Sequence, residues 1–174
     1  MAYIEKFLGK KVEIPEDLSY ESKLGLWVRS KDDHLVFGLS EPAWILMNGV
    51  NDLEWLVAEG QKISKGESVL FAITGKILYL DAPLEGIISF NPKVKEDPSL
   101  IGRDPYGEGW LFKITPAVAG LEALDQFGTA RSYINSLKTS EGCKNPEGLK
   151  GGVSGICKAV YTGIREQKFE RSRS

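Results

Sequence analysis

One histidine, His34, and two cysteines, Cys143 and Cys157, are all the imidazole and thiol that 174 residues offer. A zinc site needs several such ligands close together, and two cysteines separated by thirteen residues do not make one. Serine–histidine–aspartate catalysis would have to use His34, which follows Asp32 and Asp33 with no nucleophile elbow to accompany it. A histidine beside acids in a turn reads as a solvated surface residue. Two cysteines are too few for a disulfide scaffold, so both are expected as reduced thiols, with Cys157 on a buried helix face. The alternative is a redox-sensitive pair, since Cys143 opens a glycine-rich stretch. No phosphate-binding loop or dinucleotide fingerprint is present, and a catalytic centre is not expected.

Two further absences bear on partners and place. Neither sign of charge dominates: 22 Lys and Arg face 24 Asp and Glu, for a net charge of -2. That balance argues against nucleic acid or an anionic membrane as partner. No apolar run approaches the roughly 20 residues that span a bilayer. Residues 1–13 alternate charge with short apolar runs and lack the apolar centre of a signal peptide. A cytoplasmic location is the expectation.

What is present suits a globular domain: 42% hydrophobic residues, 19 Gly and 8 Pro. Tyr3, Ile4, Phe7 and Leu8 have helical spacing, ended by Pro15, and predict a helical preamble over residues 1–20. From Leu24 to Ile114 the chain reads as short strands between turns: Leu24–Val28, Leu35–Leu39, Leu53–Val57, Ser68–Ile73, Ile77–Leu80, Gly86–Phe90 and Trp110–Ile114. Glu41–Gly49 predicts a short helix, with Pro42 at its start and Gly49 beyond its end. Such close punctuation predicts a mainly β fold with edge helices, a sandwich or flattened barrel rather than βαβ units.

Beyond the strands the period changes. Leu121, Leu124, Phe127, Ala130, Ile134 and Leu137 suit one face of a helix. Gly142–Gly152 reads as a linker, and Val153, Ile156, Cys157, Val160, Tyr161 and Ile164 again follow helical spacing. Two parts are therefore expected: residues 1–138 as the domain, and residues 139–174 as a linker, short helix and basic tail.

The most specific segment is Asn91–Ile114, with Asp104-Pro-Tyr-Gly-Glu-Gly-Trp110 at its centre. With Asp97-Pro98, the turn from Gly60 to Glu67 and the turn from Ala82 to Gly86, it resembles the glycine cleavage system H protein family over roughly Tyr20–Leu137. Pro105, Gly107 and Gly109 suit a tight turn, Asp104 a turn acceptor, and Trp110 a buried aromatic opening the last strand. The resemblance implies a hybrid β-sandwich of lipoyl-domain type, and a non-catalytic carrier whose lipoyl group is amide-linked to one lysine at a hairpin tip. Partner enzymes then perform the chemistry.

Lys76, ten residues after Gly66, stands where the family's lipoyl lysine would be, so lipoate on Lys76 is the cofactor that the resemblance implies. Its implied partners are a lipoyl ligase and the other subunits of a glycine-cleavage-like or lipoate-dependent system. The sequence departs from the pattern around Lys76. Ile73 replaces the usual glutamate, Thr74 and Gly75 replace serine and valine, and Ile77-Leu78 replaces a small pair. The segment to Pro83 is one residue shorter. An unmodified binding or adaptor module that has lost lipoylation is the second reading.

Overall fold

The computed structural model describes residues 2–74, 76–117, 123–145 and 159–160. Its centre is a six-stranded sheet in the order β3 (Ser19–Glu21), β4 (Leu26–Lys31), β5 (His34–Leu39), β11 (Phe112–Pro116), β10 (Gly86–Phe90), β7 (Lys62–Ile63). Every neighbouring pair in it is antiparallel. A three-stranded sheet, β6 (Asp52–Trp55), β8 (Ser68–Ile73), β9 (Ile77–Asp81), is its partner layer. Between them lies the first core, where Leu53, Leu70, Ala72 and Leu80 meet Leu26, Phe37, Ile88 and Phe112. The mainly β sandwich with few helices is the architecture that the strand pattern predicts.

The central sheet is covered on both faces. Along β4, Leu26 and Val28 enter the first core while Trp27 enters a second one, as a period of two requires. That second core holds Trp27, Tyr20, Tyr133 and Ile134 together with Ile4, Phe7, Val12 and Ile14. The last four come from a hairpin of β1 (Ala2–Phe7) and β2 (Lys10–Ile14), not from a helix. The helical preamble is thus corrected. The pairing slips between Ile4 and Phe7, and this irregularity gives the buried positions a spacing that mimics a helix turn.

Helix α1 (Glu41–Leu46) starts at Ser40, whose hydroxyl accepts the Ala43 N–H, with Pro42 in its first turn. Helices α2 (Pro92–Glu96) and α3 (Leu100–Arg103) follow β10. The apolar period from Leu121 to Leu137 is not one helix among the described residues. Gly128 forms a bridge with Tyr20, and α4 (Ala130–Leu137) begins at Thr129, whose hydroxyl accepts the Ser132 N–H.

Glu141–Lys144 forms α5, so Gly142 and Cys143 are helical rather than linker. Gly142 packs so tightly on Phe7 that a Cβ there would lie 2.2 Å from the ring. Cys143 is 2% exposed and disulfide-bonded, which corrects the expected free thiol. β12 (Ala159–Val160) pairs with β1 through Ile4 and Tyr3, so Val160 is in a strand and not a helix. The other positions of the expected terminal helix, Cys157 included, and the basic tail lie outside the described residues.

Candidate functional site

Lys76 lies in the connection between β8 and β9 and is exposed. The two strands pair in register up to Ile73 opposite Ile77, so the chain must reverse within three residues. Thr74 closes that reversal. Its N–H donates to the Lys76 carbonyl at 2.8 Å, and its hydroxyl accepts the Lys76 N–H at 3.3 Å. Gly75 lies outside the described residues. The base of the tip is held from the next strand. Asn51 donates its backbone N–H to the Ile73 carbonyl at 2.8 Å and its side-chain amide to the Thr74 carbonyl at 3.2 Å. Sequence reading did not single out Asn51, because its role depends on the β6–β8 pairing and no local pattern announces it.

The lysine stands beside a hollow of about 250 Å³ whose walls include Leu24, Leu46, Met47, Leu78 and Tyr133. Its surroundings are apolar on the outside too. Ile77 and Tyr79 are 55% and 59% exposed, and Leu46 across the hollow is 39% exposed. Phe71 stands opposite Tyr79 with ring centres 5.9 Å apart. An exposed primary amine on a braced reversal, with an apolar hollow beside it, has the room and the footing that a covalently attached swinging group needs. Among the described residues no three His, Cys, Asp or Glu side chains gather where a metal could sit.

The Asp104–Trp110 segment is built quite differently. The Asp104 carboxylate accepts the Glu108 N–H at 2.8 Å, and its carbonyl accepts the Gly109 N–H at 2.9 Å, as a turn acceptor should. Asn91, almost wholly buried, donates its side-chain amide to the carbonyls of Glu108 and Trp110 at 2.9 and 2.8 Å. Gly107 and Gly109 are not in the left-handed region; they are glycine because of close approach. A Cβ on Gly109 would lie 2.7 Å from the carbonyl oxygens of Asp104 and Leu100. Trp110 departs from expectation, since it precedes β11, is only half-buried and lines a surface hollow with Arg29 and Lys113. The buried tryptophan is Trp27, whose indole N–H donates to the Pro105 carbonyl at 2.7 Å. Leu111 and Phe112 are both buried.

His34 is not the solvated residue expected. Its side chain is 16% exposed, with Nδ1 3.2 Å from a carboxylate oxygen of Asp33. It lies at the start of β5, in a sheet whose outer rows carry Arg29, Lys31 and Lys113, and no serine, threonine or cysteine lines that hollow. Elsewhere Lys95 joins Asp52 and Glu54, tying α2 to β6. The Leu53 N–H and then Lys95 hold the Asp52 carboxyl below its ordinary range.

Comparison with known proteins shows the family. Residues 18–140 match the model of the family described as glycine cleavage H-protein. A probable glycine cleavage system H protein 2 from Sulfurisphaera tokodaii is 35% identical over 130 residues, which span 72% of this chain and 86% of that protein. Glycine cleavage system H protein 3 of Aquifex aeolicus is 37% identical over 120 residues, 64% of this chain and 74% of its own length. The crystal structure of a glycine cleavage system H protein from Mycobacterium marinum superposes with a TM-score of 0.56 at 30% identity, covering 70% of this chain and 97% of that one. The chain belongs to the glycine cleavage H-protein family, whose members are non-catalytic carriers with lipoate on a lysine.

Proposed function

We propose that this chain carries lipoate as an amide on Lys76 and presents it to partner enzymes of a glycine-cleavage-like or other lipoate-dependent system. The observation that carries the reading is the placement of Lys76: an exposed amine in the reversal between β8 and β9 of an H-family chain. Lipoate attached there would supply a dithiolane that takes up and hands on a group or a pair of electrons. The chain's own residues supply position. Thr74 and Asn51 brace the base of the arm through the backbone, so the side chain of Lys76 is free to move while its attachment point is not. The hollow beside it, walled by Leu24, Met47 and Leu78, gives a weakly polar arm a surface to lie on.

The adaptor reading draws on Ile73, Ile77 and Tyr79, which make the hairpin more apolar than a freely solvated arm requires. One experiment separates the two. The full chain is co-expressed with a lipoyl ligase and lipoate, then measured by intact mass and peptide mapping. The carrier reading expects one lipoyl adduct, confined to the peptide containing Lys76 and absent from Lys76→Ala. An unmodified Lys76, under conditions that fully lipoylate a control H protein, would leave the adaptor.

The division of the chain at Thr139 is likewise a proposal, with residues 1–138 as the carrier domain. Purification of a chain ending at Leu137 tests it: a folded protein with cooperative melting is expected, less stable because Phe7 loses its cover from Gly142.

A further inference from the structure

β9 is the last strand of its sheet, paired with β8 on one side only. Among the described residues no backbone hydrogen bond leaves its other edge. A bare edge is a template for another strand, and proteins usually cover or blunt one. Here the edge opens onto a groove. The hollow of about 250 Å³ at the Lys76 end and a second of about 390 Å³ at the Asp81 end share one wall, Ser22–Leu24. The two hollows, which share that wall and reach β9 at Leu78 and at Asp81, together form the slot.

The chemistry of the slot differs on its two sides. Side chains of β9 alternate: Leu80 is buried and Leu78 faces the hollow, while Ile77 and Tyr79 point outward and are the two most exposed large apolar side chains described. The groove side carries Lys23, Lys65 and Lys76, and among the described residues none of these ammonium groups is in an ion pair. Asp81 is engaged by the Ser68 hydroxyl at 2.7 Å, and Glu21 by the backbone N–H groups of Lys23 and Leu24. The acids in the slot thus have partners and the lysines do not.

We infer that the slot is a docking site for an extended segment of a partner protein, which adds to β9 as a fourth strand. Alternation then dictates the segment's composition. Side chains on its outer face lie beside Ile77 and Tyr79 and are apolar; those on its groove face meet Lys23 and Lys65 and are acidic, with Lys76 adding its charge only in the unmodified chain because a lipoyl amide is neutral. A segment alternating apolar and acidic residues satisfies both rows, and it docks beside the lysine that carries the arm. The inference rests on the carrier reading only for the purpose of that docking.

The test uses the full, unmodified chain and a blocked peptide of alternating valine and glutamate, about eight residues long to match a typical strand. Binding is followed by titration, and its site by backbone amide exchange. Slowed exchange confined to β9 and the Ser22–Leu24 wall is expected. The double variant Lys23→Glu/Lys65→Glu, changed only at exposed positions, should bind at least about tenfold more weakly and should instead take up a valine–lysine peptide. Absent binding, binding without protection of β9, or an affinity unchanged in the double variant would overturn the inference. No lipoate enters this titration. A missing adduct on Lys76 therefore defeats the carrier and leaves the slot standing, while a failed titration does the reverse.

Discussion

The Asp104–Trp110 turn and the Thr74–Lys76 turn are both short reversals in one sandwich, and they are held by opposite means. The first is bound through Asp104, Asn91 and the backbone of Leu100, with Gly109 pressed against carbonyl oxygens and Gly107 against the Asp104 carboxylate. The second is held at its base by Thr74 and Asn51 and is open above, with Lys76 exposed. The most recognisable motif therefore belongs to the region that does no chemistry. A turn packed against carbonyls and side chains admits few residue types, so it leaves a strong pattern. A turn whose tip is in water admits many, and Ile73, Thr74 and Ile77 are departures that the hairpin tolerates.

The largest way to break the packed side is with alkali. Burial pushes the phenols of Tyr20, Tyr106 and Tyr133 well above their ordinary value, with neighbouring tyrosines adding to the rise for Tyr20 and Tyr106. Tyr106 donates to the Glu13 carbonyl at 2.6 Å and accepts the Glu41 N–H at 2.9 Å. Because the folded values lie above the unfolded ones, stability from these groups is fully present below about pH 10 and is lost as pH rises towards the folded values. Phenolate absorbance of these three should grow in step with loss of the fold, followed by circular dichroism. Ionisation of all three in a folded chain would show that the second core is open to water.

Trp27→Ala comes next. The side chain is fully buried and its indole N–H meets the Pro105 carbonyl, so truncation leaves both a cavity and an unpaired acceptor. A cost of about 3–5 kcal/mol is expected from denaturant unfolding. Trp110→Ala should cost clearly less, since Trp110 is half-buried and outside the strand.

That reversal of roles between two tryptophans shows what was legible and why. Local alternation was readable: Ser68–Ile73 and Gly86–Phe90 are strands with the bounds that their apolar runs suggest, and β9 runs one residue past Leu80. Where an irregularity breaks the alternation, reading failed. The slip between Ile4 and Phe7 disguised a hairpin, and the bridge between Gly128 and Tyr20 interrupted an apolar period that had looked continuous. Trp110 misled because the turn extends through it, with its N–H directed at the Gly107 carbonyl, before the ladder begins at Phe112. The reversal that holds Lys76 was legible from the two apolar runs that flank it. The slot beside it was not, since Ser22–Leu24 reaches β9 only through the tertiary fold.

Gly109→Ala tests whether the turn's glycines serve close approach. Its Cβ would press on two backbone oxygens, which cannot move aside as a side chain can. Urea unfolding should show a loss of about 1–3 kcal/mol, as for other overpacked sites. A neutral result would mean that the turn has slack after all.

Lys76→Ala should do almost nothing to stability, and that is the sharpest contrast with the other turn. The hydrogen bonds that close the reversal use the backbone N–H and carbonyl of Lys76, and alanine keeps both. The side chain is exposed and makes no ion pair among the described residues, so no buried partner is left behind. A change within about 0.5 kcal/mol is expected, as for surface substitutions generally. Thr74→Ala, by contrast, removes the hydroxyl that accepts the Lys76 N–H and should cost about 1 kcal/mol. Melting curves of the two variants side by side settle the matter. If Lys76→Ala destabilised the protein as much as Thr74→Ala, the lysine side chain would be part of the hairpin's architecture, and the contrast between a packed turn and a presenting one would fail.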